Sequence, residues 1–480
     1  MSSSLNVRVA LSHPNIPALT YLEEPQYALL DIQPSMASTE TSRPPLNIAI
    51  VVDSSATMHH FQFTEEEREY WMGVALSRNE IERGKADDRD AIYWTGQTLQ
   101  EMQSVARKPM AIVVEALKNL LMTLRPTDRV SVISFADKVF PLFGDQEFAA
   151  FPERCQRHLD ALRDQALPVD IGSGTYMADA ILSAGEYLNR NADAHTINRL
   201  IIITDGIVQD PMVTLNNISA VQEKGYAITT IGVGEEFDEE FLIRVADNSR
   251  GEYHYASNAT EITDCLQQEI NSLQATAVTD LYLAIRGLNG AVVQEIYMVR
   301  PSMSLFDEIY TEDEWLRARV GDVSSTAPSA VLLQFVPPNS PPGTHLIAEI
   351  QLTWAYPSAA FGVSKGNEKV VMSADFVSDM ALTQVTNPSV VDLVDRFSVY
   401  KYEREAQRAQ ERGDIETAKD KLGKATKQLR DLGETALATD MEEAMASLGR
   451  SSQGGTTKVK RIKSTTRRLA SMSGPVPPEG

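Results

Sequence analysis

Four short apolar runs constrain this chain more than any other feature: LNIAIVVD (46–53), RVSVISF (129–135), NRLIIITDG (198–206) and YAITTIGVG (226–234). None alternates apolar with polar residues, so each suits a strand buried on both faces of a parallel sheet. Helical patterns lie between and after them, in PMAIVVEALKNLLMTL (109–124), MADAILSAGEYLNR (177–190), LNNISAVQEK (215–224), EEFLIRVAD (239–247) and EITDCLQQEINSL (261–273). Strands alternating with helices predict a doubly wound, Rossmann-like α/β domain over 46–273. One block breaks the rhythm. Residues 59–108 sit where the first strand should pass directly into its helix, and they read as a helical insertion holding Trp71 and Trp94.

The flanks have a different texture. Residues 1–45 hold two strand-like runs, LNVRVALS and YALLDI, then a Pro-, Ser- and Thr-rich linker from Gln33 to Pro45. Residues 274–385 return to strand character punctuated by Pro and Gly, which predicts a β-sandwich that the N-terminal strands complete. Residues 386–450 read as a small antiparallel helical bundle, with Gly413 ending one helix and Asp414 capping the next. Residues 451–480 carry six Lys or Arg and one acid among Ser, Thr, Gly and Pro. That composition predicts a disordered basic tail.

Charge narrows the function classes. With 44 Lys plus Arg against 66 Asp plus Glu, the net charge is -22. An acidic body argues against nucleic acid or an anionic membrane as a partner. No apolar run approaches the ~18 residues of a membrane span. The N-terminus lacks the basic start and apolar core of a signal peptide. Two cysteines, Cys155 and Cys265, form neither a disulfide framework nor a zinc spacing. The expectation is a cytoplasmic protein.

Three motifs carry the chemistry. LNIAIVVD ends at Asp53 and continues as DSSAT, so Asp53, Ser55 and Thr57 are spaced two apart. GSGT places Thr175 in a glycine-bracketed loop before a helix, and ITDG places Asp205 at another strand end. Carboxyl ends of strands share one edge of an open α/β sheet, where ligands bind. Three hydroxyls and two carboxylates make a hard oxygen site, suited to Mg²⁺ or Mn²⁺, with Ca²⁺ behind them.

In this order and on these strand ends, DSSAT, GSGT and ITDG resemble the metal-ion-dependent adhesion site of von Willebrand factor A domains. The resemblance implies that Ser55, Thr57 and Thr175 contact the metal, that Asp53 and Asp205 do so directly or through water, and that a partner's Asp or Glu completes the shell. Thr57 departs from the second serine of the family's DxSxS pattern. The whole chain, through TAVTDLYLAIRG, NPSVVDLVDRF and TTRRL, also resembles a bacterial multidomain group of such proteins. That resemblance implies association with Ser/Thr kinases and forkhead-associated domain proteins. The leading expectation is a non-enzymatic, metal-dependent protein-binding module in a signalling or assembly complex. The alternative is a phospho-regulated scaffold modified in its tail, with Thr465 and Thr466 as acceptors. A metal-dependent hydrolase is a third reading with little behind it, since only His59 and His60 neighbour the motifs and both are expected at the surface. The insertion leaves the ligand-bearing loop, so it is expected over the metal face as a lid or docking surface. Its rings, Phe61, Phe63, Tyr70, Trp71, Tyr93 and Trp94, are expected mostly to pack the insertion onto the domain.

Overall fold

The computed structural model describes residues 5–22, 24–35, 44–61, 65–86, 89–105, 108–145, 147–192, 196–234, 237–256, 259–306, 309–356, 364–448 and 457–472. Phe63 and most of the 33–45 linker lie outside them.

The apolar runs form one six-stranded sheet. Its order is Tyr253–Ala256, Ala227–Val233, Ile197–Thr204, Leu46–Asp53, Arg129–Phe135, Val139–Phe143, parallel except for the last strand. All eight residues of Leu46–Asp53 are buried because helices cover both sheet faces. Ile48, Ile50 and Val52 join a core with helices Pro109–Thr123 and Ala259–Gln274, whereas Ala49 and Val51 face a core with Ala178–Asn191 and Glu239–Ser249. The chain leaves Leu46–Asp53 toward Arg129–Phe135 on one side and later returns to Ile197–Thr204 on the other. The carboxyl end of Leu46–Asp53 is therefore the switch point of the sheet, where a crevice forms.

The insertion differs from the expected helical block. Helix Glu65–Arg78 is followed by an antiparallel hairpin, Ile81–Ala86 with Arg89–Trp94, and then by helix Gly96–Val105. Trp94 pairs with Ile81 in the hairpin. Tyr70 and Tyr93 are exposed, and Phe61, Trp71 and Trp94 are half-buried.

Two sheets form the β-sandwich. One runs Leu5–Leu11, Gln26–Pro34, Ser329–Val336, Val292–Arg300, Ser304–Leu305; the other runs Tyr310–Glu312, Trp315–Ser324, Thr276–Gly287, Gly343–Tyr356, Ser364–Val377, Asn15–Pro17. The sandwich grips the amino ends of the α/β strands. Arg199 lies 3.3 Å from both Glu269 and Asp322, and Arg319 donates to the Gly225 carbonyl at 2.7 Å. The carboxyl edge is left on the far side.

Helices Pro388–Glu411, Ile415–Asp431 and Thr435–Ser447 pack on the outer face of the first sandwich sheet. Asn387 and Asp414 cap the first two. A fourth helix, Thr457–Arg468, corrects the expectation of a disordered tail over 451–480. Ile462, Leu469 and Ala470 enter the bundle core. The basic residues meet partners distant in sequence. The Lys460 ammonium lies 3.6 Å from the Phe237 ring centroid and donates to the Phe237 carbonyl at 2.9 Å. Lys463 reaches Glu239 and Glu240 at 3.2 and 2.8 Å. Buried Arg467 forks onto Asp247, and Arg468 contacts His254 at 2.6 Å. Charge that forbids folding in isolation becomes a docking code once acids are supplied.

Candidate metal centre

Backbone stitching brings three loops together at the carboxyl edge. The Ser54 N–H donates to the Phe135 carbonyl at 2.7 Å, and the Ala56 N–H donates to the Ser173 carbonyl at 3.2 Å. The Tyr176 N–H donates to the Ala136 carbonyl, and the Gln209 N–H donates to the Thr175 carbonyl at 2.9 Å. Two carboxylates reinforce the stitching. Asp137 accepts from the Gly174 N–H at 2.8 Å, and Asp210 accepts from the Met177 and Ala178 N–H groups at the start of helix Ala178–Asn191.

The nominated side chains meet inside this frame. Asp53, Ser55, Thr175 and Asp205 are buried, and Thr57 is half-buried. Asp53 accepts from the Ser55 N–H at 2.8 Å and from the Thr204 hydroxyl at 2.5 Å. Thr57 donates to Asp205 at 2.7 Å, Ser55 donates to the same oxygen at 3.4 Å, and the two hydroxyls lie 3.0 Å apart. Thr175 closes the group from the glycine loop. A methyl added at Gly206 would sit 2.7 Å from its hydroxyl and 3.5 Å from Asp53 Oδ2. Thr57 thus keeps its hydroxyl within the cluster despite replacing serine.

Burial pushes the Asp53 carboxyl up to about 6, opposed by the Thr204 and Ser55 hydrogen bonds. Burial and then the Asp53 charge push Asp205 up to about 7. Burial disfavours the charged form of both carboxylates, so positive charge placed beside them would stabilise those forms. Among the described residues no three His, Cys, Asp or Glu gather as a metal site; the cluster here joins two carboxylates to hydroxyls. Hard oxygen donors and a carboxylate pair, with no Cβ at Gly206 to crowd the Thr175 hydroxyl, fit a divalent cation of the Mg²⁺ type.

Two residues near this cluster went unnamed in the sequence reading. Thr204 stands one place before Asp205, where a hydroxyl at a buried strand end was a usable signal. Gly206 matters for its missing Cβ, which only packing reveals. His59 corrects the expectation of a surface residue. The short turn Ala56–His59 folds it inward, its Nε2 lies 3.2 Å from the Ser54 hydroxyl, and burial drives it down to about 4. His60 is exposed. In the tail, Thr466 is fully buried and donates to the Lys463 carbonyl, so it offers no accessible hydroxyl in the docked helix. Thr465 is half-buried and donates to the Arg461 carbonyl at 2.8 Å.

The model of the von Willebrand factor type A domain matches residues 101–269. The structure seats the earlier strand Leu46–Asp53 in the middle of the same sheet. The chain carries a von Willebrand factor type A domain. Residues 388–472 match the Sll0103-like C-terminal alpha-helical domain, which includes the basic helix. A solved structure, von Willebrand factor type A from Catenulispora acidiphila, superposes with a TM-score of 0.69 at 15% identity over 97% of each chain. The ArnB paralog VWA2 from Sulfolobus acidocaldarius superposes with a TM-score of 0.50 at 13% identity, over 98% of this chain and 100% of that one. Among sequences, "Uncharacterized protein YfbK" of Escherichia coli is 24% identical over 40% of this chain, and "Uncharacterized protein sll0103" of Synechocystis is 21% identical over 57%. The alignments span 32% and 65% of those relatives' lengths. Among the described residues no helix is long and apolar enough to cross a membrane.

The cradle at Gly206 makes one expectation specific. Gly206→Ala forces the Thr175 hydroxyl aside, because the methyl would stand 2.7 Å from it. Calorimetric titration should show Mg²⁺ affinity falling by roughly tenfold or more, about 1.4 kcal/mol, with circular dichroism unchanged.

Proposed function

We propose that this von Willebrand factor A domain binds protein partners through a divalent cation, Mg²⁺ or Mn²⁺, held by Asp53, Ser55, Thr57, Thr175 and Asp205. The single observation that carries this reading is the pair of buried, mutually repelling carboxylates ringed by three hydroxyls at the switch point of the sheet. Bound there, a divalent cation supplies positive charge and a place for a partner's Asp or Glu. The residues of this chain do the rest. Thr204 and the Ser55 N–H hold Asp53 in position, and Thr57 and Ser55 aim their oxygens at the point Asp205 occupies. The reading is one of binding rather than turnover, in a signalling or assembly complex. The rival in which a kinase marks the tail is weakened by the burial of Thr466.

The test is a titration of the full chain with Mg²⁺, Mn²⁺ and Ca²⁺, beside Asp53→Asn and Thr175→Val. The expected result is one site that prefers Mg²⁺ or Mn²⁺ and that either substitution abolishes. Equal heats for wild type and both variants would overturn the assignment.

A further inference from the structure

We propose that the cleft between the turn Ala56–His59 and the loop that follows helix Pro152–Arg163 binds a small uncharged molecule, an apolar body carrying one hydroxyl. The cleft measures about 290 Å³. Ser54 and His59 line it from the side of the turn, and Leu162, Leu167, Val169 and Ile171 line it from the helix end and the loop. None of the five nominated metal ligands lines it, so the inference does not rest on the metal reading. Local structure shapes the cleft. The helix stops in a left-handed residue, Gln165 at φ 54°, and the Ala166 N–H closes the turn on the Ala161 carbonyl at 2.7 Å. Further on, the Lys138 N–H donates to the Ile171 carbonyl at 2.9 Å, and the Ala56 N–H donates to the Ser173 carbonyl, which fixes the loop beside the turn.

The lining selects the occupant. Ser54, His59, Leu162 and Ile171 are buried, whereas Val169 and Asp170 are exposed, so the polar pair lies deep and the carboxylate stands at the mouth. At about 30 Å³ for each water-sized group, the volume accommodates a molecule of roughly ten non-hydrogen atoms. Four aliphatic side chains suit an apolar body. Its polar end is set by Ser54 and His59. The His59 Nε2 lies 3.2 Å from the Ser54 hydroxyl, which has no other side-chain partner among the described residues. The His59 Nδ1 has no hydrogen-bond partner among them. A buried polar pair satisfied only in part has capacity for a further partner. Whichever member of the pair donates to the other, the serine oxygen keeps a lone pair or its proton for a ligand. A hydroxyl, donor and acceptor at once, answers both cases. An ionised group would be buried there without a counter-charge. Among the described residues no Lys or Arg lines the cleft to hold an anion. Asp170, exposed at the mouth and already accepting from the Gly172 N–H at 3.0 Å, holds a cation only weakly.

The experiment titrates the full chain with p-cresol, toluene, benzoate and benzylammonium, followed by ligand-observed NMR. EDTA is present throughout, so that the outcome is independent of any bound metal. The expected result is saturable binding of p-cresol at millimolar concentration, with toluene roughly fivefold weaker for want of the hydroxyl and both ions roughly tenfold weaker or more. Ser54→Ala should bring p-cresol down to the affinity of toluene and leave toluene unchanged. Val169→Trp, a substitution at the exposed mouth, should weaken both roughly tenfold with circular dichroism unchanged. No saturable binding of p-cresol, toluene or an ion bound as tightly as p-cresol, or undiminished p-cresol binding by either variant would overturn the assignment.

Discussion

In EDTA at pH 8, Asp205→Asn is expected to melt above the wild-type chain, and in saturating Mg²⁺ the order should reverse. Folding raises Asp205 from 3.8 to about 7 and Asp53 to about 6. Between roughly pH 4 and 7 the metal-free folded state therefore binds more protons than the unfolded state, so its stability falls as pH rises through that window. Above it, the penalty is complete. At about 1.4 kcal/mol per unit, the Asp205 shift sets a ceiling of about 4 kcal/mol, of which the neutral amide should recover roughly 1–3 kcal/mol. Near pH 4, where wild-type Asp205 is protonated in the folded chain, the advantage should vanish. A metal bound by the native state alone at 100 times its dissociation constant adds about 2.7 kcal/mol to the wild-type chain. The variant, lacking one carboxylate, should gain little. Melting curves at three pH values with and without Mg²⁺ decide the matter, and a variant that never exceeds wild type in EDTA would show that the carboxylate pair is not the strained element.

The second large effect concerns the basic helix. Arg467 is buried and forked onto Asp247, which places a full charge pair in the interface between Thr457–Arg468 and Glu239–Ser249. Although burial alone would lower it, Asp247 holds the guanidinium above its ordinary value. Removing one member strands the other, at a cost of about 3–5 kcal/mol. Arg467→Ala should cost that much and expose 457–472 to hydrogen exchange, while the central strands keep their protection. Adding Asp247→Ala should return a substantial part of the loss, since the stranded charge disappears. If the single and double variants were equally destabilised, the pair would not be what docks the helix.

Legibility in the sequence followed the range of the interactions involved. The parallel strands were readable because burial on both faces writes itself locally, as in Leu46–Asp53. That Asp53, Ser55, Thr57, Thr175 and Asp205 would converge was readable because each stands at or just beyond a strand end, or in a glycine-bracketed loop opening a helix, and such ends share an edge. The hairpin Ile81–Trp94 was not readable, since IERGKADDRDAIYW is charge-rich and has weak strand propensity apart from its ends. His59 escaped because its burial depends on the turn Ala56–His59 folding back onto Ser54. The basic helix escaped for a different reason. Its partners Phe237, Glu239, Glu240 and Asp247 belong to another domain, and composition records charge without recording where the opposite charge waits.

That helix also gives the molecule an order of assembly. The acids and the ring it grips are in place once Glu239–Ser249 has been made, whereas Thr457–Arg468 emerges roughly two hundred residues later. For that interval the nascent α/β domain presents Glu239 and Asp247 without their partners from the basic helix, beside the Phe237 ring, while Glu240 meets Arg404 partway through. Any stray basic helix then competes for the ledge, and the chain's own segment wins by being tethered to it. Fragments expressed without residues 457–472 would keep that vacancy permanently, so cationic contaminants in their preparations should be read as occupants of the ledge before they are read as partners.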